Sequence, residues 1–150
     1  MRNHYSVNLE RTINELRGVA CLDLESECKA KKDILCSRSF GCKVISFDEI
    51  SIALSSHVER AAKKLRKENR LATLMSIYIK TNRYAKRDRQ YRKSSFSLLN
   101  HATNDTVELN KTAMSLLSCI WRDGYAYQKM GVMLHGLIKS NEIQYELFNP

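Results

Sequence analysis

Seven of the 25 lysines and arginines in this 150-residue chain fall between Lys80 and Lys93, namely Lys80, Arg83, Lys86, Arg87, Arg89, Arg92 and Lys93. A single acid, Asp88, interrupts them. Cations clustered in this way gain affinity for phosphates by releasing condensed counterions. A polyanion is therefore the first ligand to consider, and the plainer reading of such a run is a solvated loop. Tyr84 and Tyr91 lie at the run, and their rings can either stack on bases or pack against a core.

Other chemistry finds little support. Four of the five cysteines (Cys21, Cys28, Cys36 and Cys42, with Cys119 apart) lie close together, but the gaps between them are six, seven and five residues. Structural zinc sites bring their ligands in pairs two to four residues apart, so no metal site is expected. Cys36 and Cys119 are expected to be small core residues, and the odd count fits reduced thiols. His4, His57, His101 and His135 are far apart and none has a companion at metal-ligand or general-base spacing. Asp48 and Glu49 are accounted for by the helix start they occupy. Glycine-rich phosphate loops are absent, and no catalytic set emerges.

The charge balance is 25 basic against 16 acidic residues, a formal +9. With 43% hydrophobic residues, five glycines and one proline, the chain can fill a core and is not of disordered composition. Its length suits one domain with appendages. No run of about 18 apolar residues is present, and Arg2, Asn3 and His4 do not lead into an apolar signal region, so no membrane partner and a cytoplasmic location are expected.

These cations must be positioned by elements that hydrophobic spacing predicts. Ser6–Leu16 reads as a short amphipathic helix stopped by Gly18, and 19–31 as a polar linker. Ile34–Phe40 is a strand ending at Gly41. Ser46 with Glu49 forms a capping-box signature before Ile50, Leu54, Val58, Ala61 and Leu65, whose spacing predicts a helix to Arg70. Leu71–Lys80 and Ser94–Leu99 are strands joined by the basic stretch, the second alternating Phe96 and Leu98 with Ser95 and Ser97. Asp105 and Glu108 open a helix carrying Leu109, Ala113, Leu116, Leu117 and Ile120, with Gly124 beyond its end. Tyr127–Ile138 is the last strand, with Met130, Val132, Leu134 and Ile138 on one face and Lys129, Gly131, Met133 and His135 on the other. The order β-α-β-β-α-β predicts an α+β fold, a four-stranded antiparallel sheet with two helices on one face and the other face open. Few aromatic residues are expected on that open face.

Several segments resemble the C-terminal region of UmuC-like members of the Y family of translesion DNA polymerases. They are Cys36-Ser37-Arg38-Ser39-Phe40-Gly41, Ile79-Lys80-Thr81-Asn82 and Tyr127-Gln128-Lys129-Met130-Gly131-Val132-Met133-Leu134, and Asn8 to Gly18 is similar to the closing helix of that family's thumb. The resemblance implies a thumb remnant over 1–18, the linker over 19–31, a little-finger DNA-binding domain over 32–139, and a tail over 140–150. By that analogy Ser37, Arg38, Ser39, Arg92, Lys93 and Ser94, with Lys80 and Arg89 of the basic run, contact the backbone of primer-template DNA. Hydroxyls and cations bind phosphate oxygens without reading bases. For Ser37 and Ser39 the reading of plain solvent-facing strand serines stays open.

The tail segment Gln144-Tyr145-Glu146-Leu147-Phe148 is similar to the pentapeptide by which bacterial polymerases dock on the sliding clamp. In it Leu147 and Phe148 would fill an apolar cleft while Gln144 hydrogen-bonds at the rim. Tyr145 stands where leucine is usual, and the other reading is an apolar pair folded back on the domain. The resemblance also implies a UmuD-like regulatory subunit as a partner. It implies no cofactor in this chain, because the family's Mg2+ ions are held by palm carboxylates upstream of anything present. The chain is therefore expected to be a fragment that does not polymerise. Two rival readings remain: a free-standing single-stranded RNA or DNA binder of the same topology, and a protein-interaction module using the tail and the basic patch.

Overall fold

The computed structural model describes residues 7–21 and 32–142. The chain divides into two compact units, 1–30 and 31–150. In the first, helix α1 (Val7–Leu16) ends at Gly18, whose φ of +79° reverses the backbone as the sequence predicts. Val7, Leu9 and Leu16 of its apolar stripe are exposed.

In the second unit β1 (Ile34–Val44), α2 (Phe47–Lys67), β2 (Arg70–Thr81), β3 (Arg92–Thr103), α3 (Thr106–Ile120), β4 (Tyr127–His135) and a two-residue β5 (Ile138–Lys139) follow in order. The antiparallel sheet has strand order β1-β4-β2-β3, and β5 pairs with the start of β2. Helix α2 packs on β1 and β4, and α3 on β2 and β3. This is the expected α+β architecture, with both helices on one face.

Alternation along the strands builds the core. Met130, Val132 and Leu134 of β4 lie beside Met75, Ile77 and Ile79 of β2, all buried, and the inward stripe of α2 (Ile50, Leu54, Val58, Ala61, Leu65) and Leu109, Ala113 and Leu117 of α3 close over them. His57 is buried at the edge of the α2 stripe, and burial, followed by the nearby Arg60 and Arg38 charges, holds its pKa below the usual histidine value.

Several boundaries and placements differ from expectation. Strand β1 continues through Gly41 to Val44, because a bulge between Ser39 and Val44 absorbs the glycine and the Gln128 side-chain amide donates to the Phe40 carbonyl at 2.6 Å beside it. Helix α2 stops at Lys67, not Arg70, since Asn69 turns left-handed at φ +49° and Arg70 already belongs to β2. Strand β3 runs from Arg92 to Thr103. Strand β4 ends at His135, because Gly136 turns at φ +60° and sends Ile138 to pair with Leu71. Cys36 is buried, whereas Cys119 lies on the solvent side of α3, between the inward Leu117 and Ile120.

Both predicted N-cap residues occupy the cap position, but only one caps. Asp105 accepts from the Val107 and Glu108 amides at 3.2 and 3.4 Å, while the Ser46 hydroxyl makes no cap bond. The two sites therefore make unequal contributions. Asp105→Ala should lower stability by about 1 kcal/mol and Ser46→Ala by much less in urea denaturation, and equal losses would contradict the observed capping.

Candidate nucleic-acid interface

Cross-strand register decides which side chains share the open face. Ser39 pairs with Lys129, Lys129 with Lys80, and Lys80 with Arg92. Directly paired residues point to the same side, so one row across all four strands carries a hydroxyl and three cations. Adjacent strands are about 4.8 Å apart, which spaces Lys129, Lys80 and Arg92 over roughly 10 Å. None of the three has an acidic partner within salt-bridge distance among the described residues.

The next row is Ser37, Gly131, Tyr78 and Ser94. Here the ring of Tyr78 lies over Gly131: a Cβ on residue 131 would stand 2.6 Å from Tyr78 Cε1 and 2.7 Å from Ser37 Cβ. Glycine is thus required for this close approach. Beyond it come Leu35, Met133, Ser76 and Phe96, and then His135, Leu74 and Leu98. Phe96 and Leu98 are 71% and 72% exposed. The expectation of few aromatics on this face is corrected: the register of β3 turns Phe96 outward and Ser95 and Ser97 toward the helices, so Phe96 joins Tyr78 there.

The same register separates the predicted contact residues. Ser37, Ser39, Lys80, Arg92 and Ser94 share the open face. Arg38 and Lys93 do not, because they pair with Met130 and Ile79, whose side chains are buried under the helices. Three consecutive strand residues cannot all face one way. Arg38 and Lys93 are exposed at the two outer edges, and Arg38 flanks His57 and the groove of about 420 Å³ that β1 forms with Arg60, Lys63, Lys64 and Lys67 of α2. Lys129 was not singled out as a contact from the sequence, although the alternation of β4 already places it on the polar side.

The connection from Asn82 to Tyr91 closes the basic end of the face and is held from within. The Gln90 amide nitrogen lies within hydrogen-bonding distance of the carbonyls of Asn82, Ala85 and Asp88 (3.0–3.2 Å), and Thr81 and Tyr91 exchange backbone and hydroxyl bonds. Asp88, the one acid of the run, pairs with Lys43 at 2.6 Å. Tyr91 packs against Tyr125 and Tyr127, and its hydroxyl donates to the Ile120 carbonyl at 2.7 Å. Tyr91 is thus a packing residue, whereas Tyr84 is 86% exposed. Arg89 lies 4.8 Å from the centre of the Tyr125 ring, a cation–π contact. Arg83, Lys86 and Arg87 are exposed. Sequence spacing gave no sign of Gln90, because its role depends on three carbonyls that only the folded loop brings together.

His135 joins the strands at the far end of the face. Its Nδ1 is 2.7 Å from Asp33 Oδ1 and its Nε2 is 2.8 Å from Ser76 Oγ, so His135 does have companions that its sequence position did not reveal. The order serine–histidine–aspartate matches that of acyl-transfer enzymes. Here Ser76 sits mid-sheet, paired on both sides with Phe96 and Met133, so the ladders use the backbone amides that would otherwise hold an oxyanion. The arrangement fastens β4 to β2 and to the residue that leads into β1. No cluster of three or more metal-ligand side chains occurs among the described residues, and none of their helices is long and apolar enough to cross a membrane.

The model of the impB/mucB/samB family C-terminal domain matches residues 31–147. The chain belongs to that family. Within it, the chain is 41% identical to protein UmuC of Salmonella typhimurium over 149 residues, covering 99% of this chain and 35% of UmuC. It is 40% identical to protein MucB of Escherichia coli over 149 residues, with the same shares. The chain thus spans about a third of the length of these relatives. Among solved structures, this impB/mucB/samB C-terminal domain shares its fold with the little finger domain of PolIV in complex with the beta-clamp processivity factor (TM-score 0.53, 13% identity, 78% of this chain and 99% of that one). It also resembles Dbh DNA polymerase in an insertion ternary complex (TM-score 0.55, 13% identity, 89% of this chain and 36% of that one). Residues Gln144, Leu147 and Phe148 lie outside the described residues, as does most of the predicted linker.

The packing of Tyr78 over Gly131 can be tested by itself. Gly131→Ala should destabilise the domain by about 1–3 kcal/mol, the usual range for an overpacked site, and Tyr78→Ala in the same chain should recover part of that loss. An unchanged denaturation midpoint for Gly131→Ala would show that the ring is not seated there.

Proposed function

We propose that this chain is the DNA-gripping portion of an error-prone translesion polymerase, holding primer-template DNA by its phosphates without reading sequence. The observation that carries this reading is the row Ser39, Lys129, Lys80 and Arg92, continued by Ser37 and Ser94 in the next row and by the cations of the Gln90-held loop. Hydroxyls and cations in a line, the cations without an acidic partner among the described residues, suit a phosphate backbone and offer no fixed pattern of donors and acceptors for base edges. Arg38 and Lys93 act from the two sheet edges, and Arg89 from the loop. In this reading helix α1 is the last helix of a thumb, and a palm holding catalytic metal ions would lie outside this chain, which spans about a third of the length of its relatives.

The segment Gln144–Phe148 docks on a sliding clamp in this reading. Its sequence supports this, together with the fold shared with a little finger domain solved in complex with a beta-clamp. A UmuD-like subunit is a further partner of the complete polymerase, suggested by the relationship to UmuC.

Titration of duplex DNA across a salt series tests the grip. Binding should weaken steeply with salt, and Lys80→Ala, Arg92→Ala and Lys129→Ala should each lower the slope of log affinity against log salt by about 1. Weakening should be uniform across DNA sequences. Binding indifferent to salt, or unaffected by all three replacements, would refute the assignment. For the tail, Leu147→Ala with Phe148→Ala should abolish clamp binding in a surface-immobilised assay while leaving DNA affinity intact. Clamp binding that survives the double replacement would exclude the tail as the docking element.

A further inference from the structure

The open face is divided into two strips of different chemistry. One end carries the cation row; one residue pair further along each strand lies Tyr78, and another pair further lie Phe96, Met133 and Leu35, with Leu98 beyond. Successive same-face rows stand about 7 Å apart, so Tyr78 lies about 7 Å from the cation row, within reach of a base whose phosphate it holds, and Phe96 about 14 Å from it, within reach of the base of a following nucleotide. Tyr78 is half-buried because its ring rests over Gly131, whereas Phe96, on the edge strand β3, is almost free of neighbours at 71% exposure. The phosphate-binding row accounts for the first strip and leaves the second unexplained.

Intact duplex hides the faces of its bases within the stack. Unpaired nucleotides present a phosphate on one side and an open aromatic face on the other, the same pairing of charge and ring that this sheet displays. We propose that Tyr78 and Phe96 form a stacking platform for the unpaired bases of a single-stranded template overhang, beside the Lys129, Lys80 and Arg92 row that holds the phosphates of the adjoining duplex. The inference rests on the reading of this face as a DNA interface and adds the residues that would hold the unpaired part of a primer-template. Charge complementarity between the row and the strand backbone commits the occupant, and the rings supply the part of the affinity that does not depend on salt.

The test compares the full chain binding to a blunt duplex, to the same duplex with a 5′ template overhang of several nucleotides, and to a single strand of equal length, by fluorescence anisotropy at one salt concentration. The overhang should raise affinity roughly tenfold over blunt duplex. Phe96→Ala and Tyr78→Ala should each remove most of that gain and change blunt-duplex affinity by less than twofold, and Tyr78→Phe should keep it, because stacking requires the ring and not the hydroxyl. Phe96 is exposed, so its variant retains the fold, and circular dichroism checks Tyr78→Ala. Equal affinity for blunt and overhung duplex overturns the stacking platform and leaves the phosphate grip standing. Variants that bind every DNA as the parent does overturn it as well. Failure to bind all three DNAs overturns both the grip and the platform.

Discussion

Burial of one face of the sheet beneath α2 and α3 is the constraint on which the arrangement of the other face depends. Met130, Val132 and Leu134 cannot leave the core without exposing a continuous apolar strip, so β4 is locked in register against both β1 and β2. Because side chains alternate, that lock also fixes Lys129, Gly131 and Met133 outward. A slip of one residue would exchange the two sets entirely. The cation row therefore follows from packing on the opposite side of the sheet, without needing attractive interactions among its own members, which in fact repel one another.

The loop at the basic end solves a related problem. Clustered cations raise the energy of any conformation that holds them close, and an unstructured connection would spread them apart. Gln90 satisfies inward-facing carbonyls, Lys43 neutralises Asp88, and Tyr91 anchors the exit against Tyr125 and Tyr127. The positive charge is thus assembled before any anion arrives, which spares the binding step part of its ordering cost.

Much of this was legible in the sequence. The apolar spacing of Ile50 to Leu65 and Leu109 to Ile120, and the alternation of Met130 to Leu134, gave the helices, the last strand and the α+β order, since burial imposes those periods directly. What could not be read was decided across strands. Ser37, Arg38 and Ser39 form one stretch of sequence but two faces of a sheet, and Phe96 looks like a core residue until the register of β3 against β2 turns it to the open face. The capping signature at Ser46 gave the position of the helix start but not the bond, because the bond depends on the χ1 rotamer that places Oγ, which sequence spacing does not fix. His135 reads as solitary for a similar reason: its partners Asp33 and Ser76 are 102 and 59 residues away along the chain.

That last contact has a mechanical meaning. Strand β1 is an edge strand, paired on one side only, and its first residues follow immediately on the segment that leads in from the first unit. The contacts of Asp33, just before β1, with His135 on β4, and of His135 with Ser76 on β2, tie the start of that edge strand to the two strands inward of it, where fraying would otherwise begin.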